Sequence, residues 1–344
     1  MTAGRRATIR PGSVAVSVVG VVAVAATAAA TILLTAPRGH SGASSGPAHH
    51  APRTLRAPLA TRLRATADSY LGVYERGVPR SYSAVDVFAR AIGRQPNLVL
   101  SFSGWNDPFQ VPFADQARSH DAIPFIQMEP RGVGLAAIAA GRSDGYLISY
   151  ARAVADYRYP VVIGFGHEMN GPWYPWGWTK VSPAVWVAAW RHVVTVFRRA
   201  GALNVTWIWT ANVEGPGDGP LRAYWPGRRY VDWIGITGYL YFRLDTFAGT
   251  YGPTITAVRR FTHRPILISE AAAGQVAGQA AKIPGLFSLV RKDHLLGFVW
   301  FDAAQKSGIY HQDWRLEDHP AAISAFRRQL TRTSDLLRSP AGPG

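Results

Sequence analysis

The 344-residue sequence contains no cysteine, so disulfide bridges and thiolate metal sites are excluded. Lysine is scarce as well. Only Lys180, Lys282, Lys292 and Lys306 are present, so the formal net charge of +16 comes mainly from arginines scattered along the chain. A nucleic-acid-binding protein concentrates its basic residues on one face or stripe. The scatter therefore predicts no nucleic-acid partner, and solvated helix faces account for the charge.

An uncharged apolar run occupies the N-terminus. Arg5, Arg6 and Arg10 precede it, and it extends over residues 11–37. This is longer than the about 20 apolar residues that cross a bilayer. The basic start and the small residues within the run are also typical of an export signal. We therefore predict a signal peptide or signal anchor over residues 1–36. The rest of the chain is then extracellular, either secreted or anchored to the outer face of the cytoplasmic membrane.

The next segment is rich in Gly, Ser, Ala, Pro and His, between residues 39 and 58. This composition is typical of a flexible linker, so residues 37–66 are predicted to be a disordered linker. Residues 67–330 then form a single folded domain, and residues 331–344 a flexible tail.

Beyond the linker, short apolar runs alternate with helix-like segments. The clearest helix is Pro183–Arg199, in which large apolar residues recur near an i, i+3, i+4, i+7 spacing. Eight buried strands alternating with helices over about 260 residues are typical of an α/β fold of the (β/α)8 or TIM barrel type. A doubly wound sheet usually has a Gly-rich phosphate turn after its first strand, and that pattern is missing after Tyr74. The predicted strands are 70–74, 98–102, 123–129, a fourth that begins at 160 and ends at His167-Glu168, 204–210, 231–236, 265–270 and 296–300.

Two glutamates end predicted strands, and in such a barrel the chemistry lies at the carboxyl ends of the strands. Glu168 ends the fourth strand and Glu270 ends the seventh. Strands four and seven face one another across the barrel mouth. This favours the carboxylate separation of a retaining glycosidase, about 5–5.5 Å, over the about 6.5–9.5 Å of an inverting one. The aromatic loop beside Glu168 should raise its pKa by desolvation, as a general acid needs. Glu270 is then the ionised nucleophile, oriented by a hydroxyl donor such as Tyr239.

Aromatic and polar side chains surround these carboxylates. Trp173 and Trp176 lie in the loop after Glu168, where large rings are costly to expose, so we predict that they stack on sugar faces. His167 is predicted to hydrogen-bond a sugar hydroxyl. Glu129 either binds sugar hydroxyls or hydrogen-bonds within its own loop. The strand-end residues assigned to the substrate site are Trp105, Glu129, Tyr239 and Trp300.

Two other hydrolase chemistries are excluded. A zinc protease needs a second histidine four residues after His167, and Gly171 occupies that position. A serine hydrolase needs a Gly-x-Ser-x-Gly elbow, which the sequence lacks. We predict no metal and no cofactor.

The segment 167–176 resembles the signature of glycoside hydrolase family 26, the β-mannanase family of clan A (β/α)8 barrels. That family carries a His-Glu pair at strand four, followed by Met-Asn-Gly and a Trp-Tyr-Pro-Trp-like loop. The resemblance implies Glu168 as acid/base and Glu270, in Ile-Ser-Glu at strand seven, as nucleophile. It also implies that Tyr239 steadies the nucleophile and that Trp300 floors the subsite at the cleavage point. The matching residues are His167, Glu168, Met169, Asn170, Gly171, Trp173, Tyr174, Pro175 and Trp176.

The function expected from these features is that of an extracytoplasmic retaining endo-β-glycosidase. The resemblance implies an endo-β-1,4-mannanase whose partner is a mannan-type β-linked polysaccharide. The same family includes enzymes that cut β-1,3-xylan and mixed-linkage β-glucan, and these activities stay open. A non-catalytic glycan-binding barrel at the cell surface is the alternative from another class, and the presence of both carboxylates counts against it. We expect a monomer that contacts a membrane only through its N-terminal segment.

Overall fold

The computed structural model describes residues 63, 65, 67, 69–275, 277–304 and 312–332. The predicted signal segment, nearly all of the predicted linker and the tail beyond residue 332 lie outside the described residues. Within the described ranges, no helix has both the length and the apolar character needed to span a bilayer.

Eight parallel strands close into a barrel in sequence order, which confirms the predicted (β/α)8 architecture. Nearly every strand residue is buried, because helices cover the outside of the barrel and side chains fill the inside. This is why the strands appear in the sequence as continuous apolar runs. The strands are β1 (Tyr70–Glu75), β2 (Leu98–Gly104), β3 (Ile123–Glu129), β4 (Val161–Phe165), β5 (Val205–Asn212), β6 (Trp233–Leu240), β7 (Ile266–Ala273) and β8 (Gly297–Asp302).

Helices pack around this barrel, and the longest of them has the bounds that its periodicity predicts. β3 is followed by two helices, whereas the connection from β5 to β6 contains two short 3-10 turns, Leu221–Tyr224 and Arg228–Tyr230. The helices are α1 (Ser83–Ile92), α2 (Val111–Ser119), α3 (Leu135–Ala139), α4 (Asp144–Tyr157), α5 (Pro183–Arg199), α6 (Phe247–Arg259), α7 (Gln279–Lys292) and α8 (Pro320–Arg332).

Strands β6 and β7 extend beyond their predicted ends, and the extra residues carry the site. Tyr239 lies within β6 rather than after it, and Glu270 lies within β7. The pairing register of β6 and β7 shifts between Ile236 and Thr237, and beyond the shift Thr237 pairs with Glu270. Such irregularities re-aim side chains next to functional sites. Here the shift places Glu270 directly beside Thr237 of β6.

Candidate active site

A cavity of about 1440 Å³ is lined by residues at the carboxyl ends of the strands. This exceeds the about 300–1,000 Å³ of a typical small-molecule pocket, so it suits an extended ligand. Both predicted catalytic residues, Glu168 and Glu270, line the cavity. Only 7% of Glu168 and 4% of Glu270 is exposed, so both carboxyl groups are largely withdrawn from water.

The turn after β4 holds Glu168 in an uncommon backbone conformation. β4 ends at Phe165, and the chain turns at Gly166 with a φ of 54°. Glu168 has a φ of 53°, in the left-handed region that non-glycine residues seldom adopt. Its backbone N–H donates to the carbonyl of Thr210 in β5 at 2.9 Å. Strain of this kind persists only where the surroundings enforce it, and it clusters at functional sites.

Three donors converge on the Glu168 carboxylate. Oε1 accepts from the Thr237 hydroxyl at 2.5 Å and from the Asn212 amide at 3.1 Å. Oε2 accepts from the Trp173 indole N–H at 2.7 Å. Burial raises the pKa of Glu168, and these hydrogen bonds oppose that rise because they favour the ionised form. They also hold the carboxyl group in one orientation.

The Met-Asn-Gly segment after Glu168 supports two of these donors. Asn170 is fully buried, accepts from the Asn212 backbone N–H at 2.9 Å and donates to the Asn212 carbonyl at 3.0 Å. The Trp173 ring covers Gly171 so closely that a side chain there would lie 2.3 Å from the ring. The asparagine and the glycine of the segment therefore position the side chains that bind Glu168.

Glu270 receives one donor where Glu168 receives three. The Tyr239 hydroxyl donates to Glu270 Oε2, which is the contact expected from the sequence. Among the described residues, no group bonds Glu270 Oε1. Burial raises the pKa of Glu270 well above its usual value, the negative charge of Glu168 raises it further, and the Tyr239 hydrogen bond lowers it. Mutual repulsion thus favours the state in which one carboxyl group of the pair is protonated.

Two further predicted residues, Glu129 and Tyr239, line the cavity with the two catalytic glutamates. The Glu129 carboxylate accepts from the Arg131 guanidinium at 3.0 and 3.2 Å. This is the loop hydrogen bonding that the sequence left as an alternative for Glu129. Glu129 also lines the cavity, so its binding to sugar hydroxyls stays a prediction.

The prediction that Trp300 floors the cleavage subsite is wrong. The Trp300 ring is fully buried and packs outside the barrel against Phe326 of α8, with the ring centroids 5.9 Å apart. Its indole N–H donates to Asp302 and to the Trp314 carbonyl. Phe301 lines the cavity instead, because successive side chains of a strand point to opposite faces.

His167 and Trp176 do not contact the cavity directly, so their assignment as sugar contacts is also corrected. His167 is 1% exposed, and burial followed by the charge of Arg131 lowers its pKa to about 3, which keeps the ring neutral. Its Nε2 lies 3.1 Å from the Tyr174 hydroxyl. Trp176, equally buried, stacks on Tyr174 with the centroids 4.5 Å apart. Both residues therefore fix Tyr174, which does line the cavity.

The two remaining predicted tryptophans differ from one another. Trp105 packs against Tyr146 and Phe165, with centroids 4.8 and 6.1 Å away, and is not part of the cavity wall. Its assignment to the substrate stays a prediction. Trp173 is also absent from the wall, but its hydrogen bond places it at the Glu168 carboxylate.

Sequence reasoning missed Asn212 and Thr237, two of the three donors to Glu168. The predicted strands ended at residues 210 and 236, so both positions lay just past a strand end. The signal that could have found them is a polar residue at the carboxyl end of a barrel strand.

One group of side chains in the described part of the chain could hold a metal ion. Glu75, Asp302 and Glu317 offer ligand oxygens within 4.8 Å of one another. None of the three lines the cavity. Burial raises the pKa of Glu75 to about 8. Protons shared between these carboxyl groups therefore account for their close approach without a cation. We assign this cluster no part in the chemistry of the cavity.

Comparison with known proteins points to one family. The sequence profile of Glycosyl hydrolase family 26 matches residues 145–325. Endoglucanase H of Acetivibrio thermocellus is 28% identical over 271 residues, which are 74% of this chain and 29% of that protein. Mannan endo-1,4-beta-mannosidase A and B of Caldalkalibacillus mannanilyticus is 29% identical over 80 residues, 21% of this chain and 15% of that protein. The chain therefore spans less than a third of the length of these relatives. The solved structure of GH26C from Muricauda sp. MAR_2010_75 shares the fold, with a TM-score of 0.61 and 13% identity over 81% of this chain and 89% of that chain.

Proposed function

The chain belongs to glycosyl hydrolase family 26, and on that premise we propose that it cleaves a β-linked polysaccharide as a retaining endo-β-glycosidase. The observation that carries the proposal is the pair formed by Glu168 and Glu270. Both line one large cavity, both are buried, and each is held by side-chain donors. The cavity can accommodate several sugar units, which supports cleavage within a chain.

The reaction proceeds by two displacements. In the first, a Glu270 oxygen attacks the anomeric carbon while Glu168 gives its proton to the glycosidic oxygen, so a glycosyl–enzyme bond forms as the glycosidic bond breaks. In the second, Glu168 takes a proton from water, the water oxygen attacks the anomeric carbon, and Glu270 leaves as a carboxylate. One water is consumed for each bond cleaved, and the anomeric configuration is retained.

Side-chain hydrogen-bond donors position both carboxyl groups for these proton transfers. Glu168 has three donors and Glu270 has one, and together these donors hold both carboxyl groups in place while the proton is transferred. Positive charge develops on the sugar ring beside Glu270 in the oxocarbenium-like transition state. That charge stabilises ionised Glu270, so the glycosidic bond breaks with the proton of the pair on Glu168, where the leaving oxygen needs it.

The charges of the cavity favour a neutral glycan. Acidic side chains outnumber basic ones, and Arg131 is already paired with Glu129. Such a surface repels a polyuronic acid. The charged lining residues are Asp107, Glu129, Glu168, Glu214, Asp245 and Glu270, with Arg76, Arg80 and Arg131.

Among neutral glycans we propose β-1,4-mannan as the substrate, which is the activity that the signature segment implies. β-Glucan is the second candidate, because 74% of the chain aligns with an endoglucanase. We further propose that the protein is a monomer acting outside the cytoplasm. That location is supported by the basic and apolar pattern of residues 1–36.

Release of new reducing ends from a panel of polysaccharides tests the proposal. The panel contains mannan, galactomannan, glucomannan, β-1,3-xylan and mixed-linkage β-glucan. We expect release from mannans or β-glucan by the natural chain and none by Glu168→Gln or Glu270→Gln. Glu317→Gln, the same change outside the cavity, is the matched control and should stay active. Full activity in either cavity variant would overturn the assignment. Retention on a glycan without any release would support the glycan-binding alternative.

A further inference from the structure

The rim loop, residues 241–245 after β6, exposes two apolar side chains at the cavity. Phe242 is 49% exposed and Leu244 is 92% exposed, and both line the cavity. Exposed apolar surface that borders a cleft marks a binding site more often than an isolated exposed residue does. The other large apolar residues exposed in the described part of the chain do not line the cavity: Val87, Val111, Tyr159 and Leu203.

The rim loop is held in place by five hydrogen bonds. The Asp245 carboxylate accepts from the backbone N–H groups of Tyr241 at 2.9 Å and Phe242 at 2.8 Å. The Asp245 N–H donates to the Phe242 carbonyl at 3.0 Å. Lys282 of α7 donates to the carbonyls of Arg243 at 2.8 Å and Asp245 at 2.5 Å. The exposed apolar side chains therefore belong to a preorganised surface.

A row of aromatic rings connects this surface with the reacting carboxylates. Tyr239, the donor to Glu270, lies 6.2 Å from Tyr241 between ring centroids, and Tyr241 lies 6.4 Å from Phe242. Exposure increases along the row, from buried Tyr239 through half-buried Tyr241 to exposed Phe242. A polysaccharide that is cleaved at Glu270 and follows this row places a later sugar unit against the rim loop.

We propose that Phe242 and Leu244 form a distal subsite that binds a sugar unit of the polysaccharide outside the pair joined by the cleaved bond. This inference rests on the proposed function and deepens it. The occupant is a neutral β-linked sugar, because its C–H faces pack on an aromatic ring and an aliphatic side chain. The Asp245 carboxylate and the Lys282 ammonium of α7 both bond to the backbone of the loop.

Oligosaccharides of two lengths test the subsite. The double variant Phe242→Ala/Leu244→Ala is compared with the natural chain on a hexasaccharide and a trisaccharide of the glycan that is hydrolysed. We expect kcat/KM for the hexasaccharide to fall about tenfold, the size of one or two lost stacking contacts. The loss should appear mainly in KM, because a distal contact binds ground state and transition state alike. The trisaccharide, too short to reach the loop, should react at the natural rate.

The matched control is Leu203→Ala, which truncates a leucine that is 55% exposed and outside the cavity wall. Leu203→Ala should leave kcat/KM unchanged for both the hexasaccharide and the trisaccharide. An equal loss on both lengths, or no loss on either, would overturn the subsite. The melting temperature should be unchanged in the double variant, because both side chains are exposed.

A binding measurement separates failure of the subsite from failure of the proposed hydrolysis. If no β-glycan is cleaved, the natural chain and the double variant are run in native gels that contain glucomannan or mixed-linkage β-glucan. Retardation of the natural chain with release of the double variant supports the subsite in a non-hydrolytic protein. Equal mobility of the two proteins in every gel overturns it.

Discussion

Replacing Thr237 with valine removes one donor to the proposed acid/base and keeps the shape of the side chain. The Thr237 hydroxyl donates to Glu168 Oε1 at 2.5 Å and accepts from the Asn212 amide at 3.2 Å. The threonine is fully buried, so water does not replace the lost hydroxyl. Thr237→Val therefore acts on the ionised form of Glu168.

The expected size of the effect follows from the charge of the acceptor. A hydrogen bond to a charged group contributes about 1.5–3 kcal/mol, and one pKa unit corresponds to about 1.36 kcal/mol. Ionised Glu168 loses this stabilisation while protonated Glu168 does not. The pKa of Glu168, which burial already raises, should therefore rise further in the variant, because ionising Glu168 costs about 1.5–3 kcal/mol more.

The pH dependence of kcat/KM measures this shift. Glu168 must be protonated in the first displacement, so its pKa sets the limb on the basic side of the profile. In Thr237→Val that limb should move to higher pH, while the limb on the acidic side, set by Glu270, should move less. Thr206→Val is the control, because it removes the hydroxyl of a buried threonine near the start of β5. A basic limb that stays in place or moves to lower pH would refute the claim that Thr237 stabilises ionised Glu168.

Three other substitutions have defined outcomes. Tyr239→Phe removes the donor to Glu270, so the acidic limb of kcat/KM should move to higher pH, and an unmoved limb would contradict that role. Trp300→Phe should lower the free energy of unfolding by about 1–3 kcal/mol in chemical denaturation and leave KM unchanged, because the Trp300 ring packs outside the barrel. A large rise in KM would mean that Trp300 contacts the substrate. Glu75 has a pKa raised from 4.5 to about 8, so the folded protein binds a proton more tightly than the unfolded chain and loses stability as pH rises through this window. In Glu75→Gln the melting temperature should therefore fall less between pH 5 and pH 8 than in the natural chain, and a steeper fall would contradict the raised pKa.

The regular elements could be predicted wherever burial leaves a periodic or continuous apolar pattern. β3 and α5 have the predicted bounds, the first from a mainly apolar run that ends at Glu129 and the second from its helical stripe. The ends of β6 and β7 were placed too early for local reasons. Gly238 interrupts the strand pattern of β6, and the alanines at the end of β7, 271–273, have low strand propensity.

The sequence predicts which residues lie near the site, but it does not predict which way their side chains point. Strand ends located Glu168 and Glu270 because parallel strands bring their carboxyl ends to one mouth. The choice between Trp300 and Phe301 depended on which face each side chain takes. Both faces of a barrel strand are apolar, so the sequence contains no alternation that reveals the inward set. His167 lies in the loop beyond the end of β4, where no strand periodicity applies, and it is Tyr174 from the same loop that lines the cavity.

The anomeric configuration of the first product tests the double displacement at Glu168 and Glu270 most directly. The natural chain is mixed with the glycan that it cleaves, and the anomeric protons of the new reducing ends are followed by NMR before mutarotation. Two successive inversions at the anomeric carbon predict that the β-anomer appears first. Initial appearance of the α-anomer would contradict a glycosyl intermediate on Glu270 and would mean that water attacks the sugar directly.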